Sequence, residues 1–257
     1  MPPWQLALFG VGVACETIPG IVGNVFVIAI ILSNRIMRNE INMFILNMAT
    51  ADLIVAAVLP ITFMVGTVFQ AYELGEGWCT YGESVRLTLL LTSVFSLSVI
   101  SVDRLWGLLK PFHKQFRPLT TKFIMLATWV VAAAVAFYPS QLTKYGMRQY
   151  HDFLDKFCEE DSAMKKYWWV IAICLVWVPA GILFTCFILI FIKLRHFNLS
   201  QKKSGQLRFV PPVARSRERA VTLVFSMFVT FFVCWSPFLV YVVIYQYRRE
   251  DHNSEVG

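Results

Sequence analysis

The stretch that decides the fold reads Cys79-Thr-Tyr-Gly-Glu83-Ser-Val-Arg86, then an uncharged run over residues 87–102, then Asp103-Arg104-Leu105, and closes on Lys110-Pro111-Phe112. A helix over residues 79–109 would be about 46 Å long at about 1.5 Å per residue. A bilayer's hydrocarbon core is only about 30 Å thick. Such a helix begins above one face, crosses, and delivers Asp103-Arg104 to the other. A cysteine marks one end and a charged pair the other.

The rest of the chain has the same character. Of 257 residues, 57% are hydrophobic and 15% charged, with a mean hydropathy of +0.60. Soluble domains carry about 25% charged residues. The apolar excess falls in long runs over residues 6–32, 43–69, 84–109, 123–140, 168–192 and 221–245. Each meets the length of a membrane helix. Period-two alternation is not seen, which argues against a barrel. The expected fold is an all-α membrane protein, one domain over residues 1–257, with six transmembrane helices. Met1-Pro-Pro-Trp4 lacks the basic start of a cleavable signal.

Loop charge sets the orientation. Arg35 and Arg38 lie in the first loop, Lys110, Lys114, Arg117 and Lys122 in the third, and a basic run from Lys193 to Arg219 in the fifth. The second loop carries Glu73 and Glu76, and the fourth carries Asp152, Asp155, Glu159, Glu160 and Asp161. The positive-inside rule places loops one, three and five in the cytoplasm and the N-terminus outside. With six spans the tail from Arg248 is outside too. In this setting the net charge of +7 reads as topology rather than as nucleic-acid binding. The fifth loop, about residues 196–214, is expected to be a flexible cytoplasmic segment, with Pro211-Pro212 inside it. Asn198-Leu-Ser200 fits a glycosylation pattern on the wrong side of the membrane.

Six cysteines provide a second test. Cys15, Cys174, Cys186 and Cys234 lie in predicted spans, whereas Cys79 and Cys158 sit at or beyond span ends on the outer side. An oxidising face favours a Cys79–Cys158 bridge over two free thiols.

Several polar residues stand out. Asp52, in Leu46-Asn47-Met-Ala-Thr-Ala-Asp52-Leu53, is the one acid of its span, with Asn24 and Ser93 as candidate company. A carboxylate at that depth marks a functional site by default, and the plainer reading is a hydrogen-bonded packing knot. Asp103-Arg104 reads as a charge latch, or as simple anchoring. Glu83 and Arg86, three apart, either pair with each other or line an outward pocket. Thr88, Thr92 and Ser96 form a four-residue stripe of the kind that packs helices closely. Pro139, Pro179 and Pro237 interrupt their spans, and Pro237 closes the aromatic stretch Phe231-Phe-Val-Cys234-Trp235-Ser-Pro237. Enzyme chemistry has little support, because all four histidines lie in loops or tails and no HExxH, P-loop or GxSxG motif occurs. A channel filter, a voltage sensor and transporter repeats are equally lacking.

In their order and spacing these residues resemble the rhodopsin-like (class A) G-protein-coupled receptors. Gly23-Asn24 is similar to that family's first-helix motif, Leu46 to Leu53 to its second, and Asp103-Arg104-Leu105 to its Asp-Arg-Tyr motif. Cys79 stands where the family's bridging cysteine stands relative to Arg104. Trp129 and Pro179 match the fourth- and fifth-helix markers, and Phe231 to Pro237 the sixth-helix switch.

The resemblance implies a heptahelical bundle with an outward ligand pocket, for which Glu16, Glu83, Arg86 and Trp235 are the candidates. It implies G-protein coupling through Asp103, Arg104, Pro111 and Phe112, and a switch core of Val94, Pro179, Phe231, Trp235 and Pro237. Asp52 and Ser93 would form part of a sodium site, and no other cofactor is expected. The implied partners are an extracellular ligand, a heterotrimeric G protein, the bilayer of the plasma membrane and a second receptor in a dimer.

The chain departs from the family pattern at several places. Leu105 replaces tyrosine, Phe187 stands where a tyrosine hydroxyl is usual, and Arg217 takes the place of an acidic lock partner beside Glu218. Arg86 stands where amine receptors carry an aspartate, so a peptide or a ligand with an acidic group is expected rather than an amine. No Asn-Pro-x-x-Tyr span follows Tyr247 within residues 1–257. The expectation is therefore a bundle lacking its seventh helix, with weak or absent signalling. The alternative is a non-signalling six-span isoform or fragment that interacts with full-length receptors.

Overall fold

The computed structural model describes residues 3–63, 74–109, 117–150, 153–161, 164–203, 225–226, 229–230 and 232–233. They fall into two compact units. One comprises Met1–Ile100 with Lys114–Val170, the other Ser101–His113 with Ile171–Gly257.

The first unit opens with α1 (Pro3–Ser33). Among the described residues four helices meet the length and apolarity of a membrane span: Leu6–Ser33, Glu40–Thr62, Gly75–Trp106 and Pro118–Ala136. The turn after α1 is held by side chains. Asn34 accepts a hydrogen bond from the Ile36 N–H at 3.1 Å, and the Arg38 guanidinium donates to the Leu32 carbonyl, satisfying groups that a helix end leaves open. α2 (Glu40–Phe63) starts under Asn39, whose side-chain oxygen takes the Asn42 N–H at 2.9 Å as an N-cap. α1 and α2 pack closely where Gly20 faces Ala56. A Cβ at Gly20 would lie 3.0 Å from that of Ala56, the kind of approach that small residues permit between membrane helices.

α3 runs from Gly75 to Leu109, 35 residues, and enters its first turn on Gly75 at φ +80, a left-handed conformation suited to glycine. It begins well before the residue-84 boundary read from hydropathy. Glu76, Glu83 and Arg86 lower the apolarity of its outer turns without breaking the helix. α4 (Pro118–Ala136) likewise starts before the predicted residue 123, because Pro118 occupies its first turn with the preceding Arg117 extended. Its buried residues, Thr121, Thr128, Ala132 and Ala136, form one small-residue stripe, while Phe123, Leu126 and Val130 are exposed, as a lipid-facing surface requires.

The fourth loop is not irregular. It folds into an antiparallel hairpin of β1 (Thr143–Tyr150) and β2 (Phe153–Glu160), which corrects the wholly helical expectation. Register sets Tyr145 opposite Cys158, and Gly146 opposite Phe157. The Phe157 ring lies over Gly146 so closely that a Cβ there would meet it at 2.3 Å. An aromatic residue covering a strand glycine in this way replaces the packing that the glycine lacks. The Lys144 ammonium bridges Asp161 at 3.4 Å at the hairpin's open end.

α5 (Met164–Ala172) is tied to α4 by the Tyr167 hydroxyl, which donates to the Val135 carbonyl. The Tyr138 and Tyr167 rings pack at 5.4 Å between centroids. A π-helical turn, Ile173–Trp177, follows, and then α6 (Val178–Lys203). Pro179 explains the wide turn. It has no N–H to donate and its ring crowds the carbonyl four residues back. The chain accommodates this with a bond from the Val178 N–H to the Ile173 carbonyl.

In the second unit, Ala180, Leu183, Cys186 and Ile190 form the buried stripe of α6. The helix persists to Lys203, eight residues into the stretch expected to be flexible from about 196. Residues 196–203 contain neither glycine nor proline, and the first breaker is Gly205. Residues 225–226, 229–230 and 232–233 are helical. The remainder of the sixth predicted span, 221–245, lies outside the described residues.

Candidate functional site

Helical periodicity organises the outer half of α3. Cys79, Glu83, Arg86 and Ser93 are spaced four, three and seven apart, so at about 100° per residue they fall within about 40° of the Cys79 direction. One stripe therefore carries the disulfide cysteine, an ion pair and the hydroxyl that meets Asp52.

At the top of this stripe Cys79 is joined to Cys158, with Cα atoms 5.8 Å apart, so β2 is covalently fixed to the first turns of α3. Cys79 is buried. One turn below, the Arg86 Nε donates to Glu83 Oε2 at 2.8 Å and Nη2 donates to Oε1 at 2.5 Å. This two-pronged contact matches the fork of a guanidinium to the two oxygens of a carboxylate. The side chains remain 35% and 23% exposed. Of the two sequence readings, pairing is the one seen. Glu16, the α1 pocket candidate, lies on an exposed face of its helix.

Deeper in the unit Ser93 lies near the Asp52 carboxylate. The third proposed member is engaged elsewhere, since the Asn24 amide donates to the Gly20 carbonyl of its own helix at 2.8 Å. Asp52 and Ser93 offer hard oxygen donors, the type a small cation takes. Among the described residues no group of three or more His, Cys, Asp or Glu side chains gathers to hold a metal.

Sequence reasoning missed the polar hub beside this pair. Asn47 is buried, and its Nδ2 donates to Ser96 Oγ at 2.9 Å. Its Oδ1 accepts from the Trp129 indole N–H, also at 2.9 Å. The Ser96 hydroxyl passes its own proton to the Thr92 carbonyl at 2.8 Å. One amide thus links α2, α3 and α4. The available signal was a lone asparagine amid apolar residues, five residues before Asp52, which needed partners of its own.

In the second unit, Arg104 Nε is buried and has no hydrogen-bond partner among the described residues. Ser101, one turn before it, is buried. The switch-core residue Pro179 is buried after the π turn. Phe187 stacks with Phe191 at 6.2 Å and packs at a tilt against Phe225 at 5.2 Å, so an aromatic contact stands where a hydroxyl was noted as missing. Val94, the remaining core residue, is buried on α3 in the first unit. Pro111, Phe112, Arg217, Glu218, Phe231, Trp235 and Pro237 lie outside the described residues.

Comparison with known proteins adds a family. The pattern described as 7 transmembrane receptor (rhodopsin family) matches residues 23–256. Similar proteins include the human (Homo sapiens) Substance-K receptor, 27% identical over 255 residues, covering 97% of this chain and 63% of that receptor. The Substance-P receptor of Aquarana catesbeiana is 24% identical over 95% of this chain and 60% of its own length. The Neuromedin-K receptor of Cavia porcellus is 23% identical over 95% of this chain and 55% of its own. The chain thus spans rather less than two thirds of the relatives it matches.

Proposed function

Because the chain belongs to the rhodopsin family of seven-transmembrane receptors, we propose that it takes part in recognising an extracellular peptide and in relaying that event to a heterotrimeric G protein. The observation that carries the reading is α3 itself. One 35-residue helix bears a disulfide-fixed hairpin and an ion pair towards one end and Asp103-Arg104 towards the other.

The relatives are named as receptors for substance K, substance P and neuromedin K, which favours a peptide of that kind over an amine. In this reading the N-terminus and hairpin are extracellular, and the acidic residues 152–161 steer basic peptides towards the site. Glu16, Glu83, Arg86 and Trp235 contribute to the ligand site. Pro179, Val94, Phe231, Trp235 and Pro237 relay the change. Arg104, whose buried Nε has no partner among the described residues, would offer hydrogen bonds to the G protein, with Asp103, Pro111 and Phe112 as further contributors. Asp52 and Ser93 would hold part of a sodium site, where the ion would supply local positive charge. The protein would reside in the plasma membrane, with a second receptor as a further partner.

The test is nucleotide exchange. The chain is expressed in membranes, challenged with substance K, substance P and neuromedin K, and assayed with purified heterotrimeric G proteins. Exchange that depends on peptide and falls on Arg104→Ala supports the reading. Correct membrane insertion with no peptide-dependent exchange overturns signalling by this chain.

A further inference from the structure

The first turns of α4 combine an apolar stripe with two cations, and packing within the unit uses neither. Leu119, Phe123, Leu126 and Val130 are all exposed. At about 100° per residue they fall within about 60° of one another, so they form one stripe down the helix. From Leu119 to Val130 it measures about 16 Å at about 1.5 Å per residue. That is close to half of a hydrocarbon core about 30 Å thick, the depth of one leaflet.

Lys122 and Arg117 stand at the start of this stripe. Both are exposed, and Arg117 is extended just before the helix begins. Lys122 lies about 60° to the side of Leu119 on the helix surface. Helical side chains tilt towards the N-terminus, so Lys122 leans back towards Arg117. A lysine so placed lays its stem on apolar surface and keeps its ammonium at the polar boundary. α4 carries no acidic residue along its length, and among the described residues neither cation is ion-paired. The first loop differs. There the Arg38 guanidinium is engaged by the Leu32 carbonyl, and Glu40 lies in the first turn of α2. An apolar stripe alone accepts any lipid. Two uncompensated cations at its polar end favour a net-negative headgroup, because a choline headgroup brings its own cation to the phosphate.

We propose that the first turns of α4 bind an anionic phospholipid of the inner leaflet, with its headgroup on Arg117 and Lys122 and an acyl chain along Phe123, Leu126 and Val130. The proposal rests on the reading of this end of α4 as cytoplasmic, but not on any peptide or G protein.

The experiment uses the full chain in phosphatidylcholine nanodiscs that hold a trace of phosphatidylserine with a photoactivatable acyl chain. Crosslinks are mapped by mass spectrometry. They are expected on residues 123–130. Unlabelled phosphatidylserine should compete them away, whereas added phosphatidylcholine and soluble glycerophosphoserine should not. Each cation near an anionic surface strengthens binding about fivefold, so Arg117→Gln with Lys122→Gln should weaken phosphatidylserine by about 25-fold. Lys122→Arg should bind as wild type does, and Arg35→Gln should change little. Equal competition by phosphatidylcholine or by glycerophosphoserine would overturn the proposal, and so would unchanged crosslinks in the double variant. An Arg35→Gln effect as large as that of the double variant would also overturn it, since the attraction would then be a diffuse field and not a site. Nanodiscs expose both faces, so sidedness is read separately in intact cells, from the reaction of Lys122→Cys with a membrane-impermeant thiol reagent. No labelling from outside is expected. Labelling would overturn the inner leaflet and the orientation assigned to the chain, while the crosslinks stand on their own.

Discussion

The outer end and the middle of the first unit settle their polar groups in opposite ways. At the outer end, Glu83 and Arg86 satisfy each other three residues apart on one helix. In the middle, Asn47 is satisfied by Ser96 and Trp129, 49 and 82 residues away in the chain. A local pair is built within one helix. A hub shared by three helices fixes their spacing, and its loss leaves each donor stranded in an apolar medium. The outer end has a different source of rigidity, the covalent link between α3 and the hairpin. The comparison predicts that substitutions at the hub cost more stability than substitutions at the local pair.

The covalent link should show the largest effect. Cys79→Ser or Cys158→Ser opens a loop with a sequence separation of 79 residues, for which loss of chain constraint amounts to about 4 kcal/mol. The expected result is a lower unfolding temperature in nanodiscs while the α-helical circular dichroism persists. Collapse of the helical signal would instead make the disulfide a determinant of the bundle itself.

The hub comes next. Asn47→Leu leaves the Trp129 indole N–H without its acceptor and Ser96 Oγ without its donor. Each hydrogen bond in a membrane protein contributes about 0.6 kcal/mol on average and up to about 1.7, so a loss of about 1 to 3 kcal/mol is expected. Trp129→Phe in a double-mutant cycle with Asn47→Leu should be non-additive by 0.5 kcal/mol or more, about the threshold for residues in contact. Additivity would mean that the indole bond carries no energy.

The two regions also differ in how far the sequence disclosed them. The apolar runs located the described helices, because lipid permits few alternatives for a backbone of that length. Parity and sidedness singled out Cys79 and Cys158. Asn47 was legible only as part of the motif around Asp52, since contacts 49 and 82 residues away leave no periodic trace. The hairpin was hidden for another reason. β1 alternates Thr143, Tyr145, Met147 and Gln149 with Lys144, Gly146, Arg148 and Tyr150, so neither set is purely apolar, and no Asn-Gly or Asp-Gly turn punctuates it. What compensates is a cross-strand contact, Phe157 over Gly146, which pattern reading does not weigh. The Glu83–Arg86 spacing was visible, but spacing alone left both of its readings open.

That cross-strand contact gives a smaller and more local prediction. Gly146→Ala places a Cβ 2.3 Å from the Phe157 ring, so the ring or the strand must shift. A cost of about 1 to 2 kcal/mol is expected, within the range for overpacking, confined to the hairpin. Hydrogen exchange of amides 143–150 and 153–160 should accelerate while those of α2 and α4 do not. Phe157→Ala in the same chain should restore part of the protection by removing the clash. Faster exchange in α2 as well would mean that the hairpin and the helices unfold as one unit, and the contrast between the two regions would fail.

The smallest stability effect belongs to Glu83→Gln. A half-exposed ion pair three residues apart on one helix contributes only about 0.3 to 0.5 kcal/mol, and glutamine keeps the length and part of the hydrogen bonding. The unfolding temperature should move by a degree or two at most, because about 1 kcal/mol shifts a domain of this size by roughly 2 to 4 °C. Set against the loss at Asn47, this near-silence is informative. If Glu83 served mainly to hold α3 in place, its neutralisation would cost as much as losing the hub, and raising the salt concentration would weaken wild type towards the variant. A variant as stable as wild type, whose stability is also indifferent to salt, shows that the pair does not hold α3 in place. The fold then stands without that charge, in contrast to its dependence on Asn47.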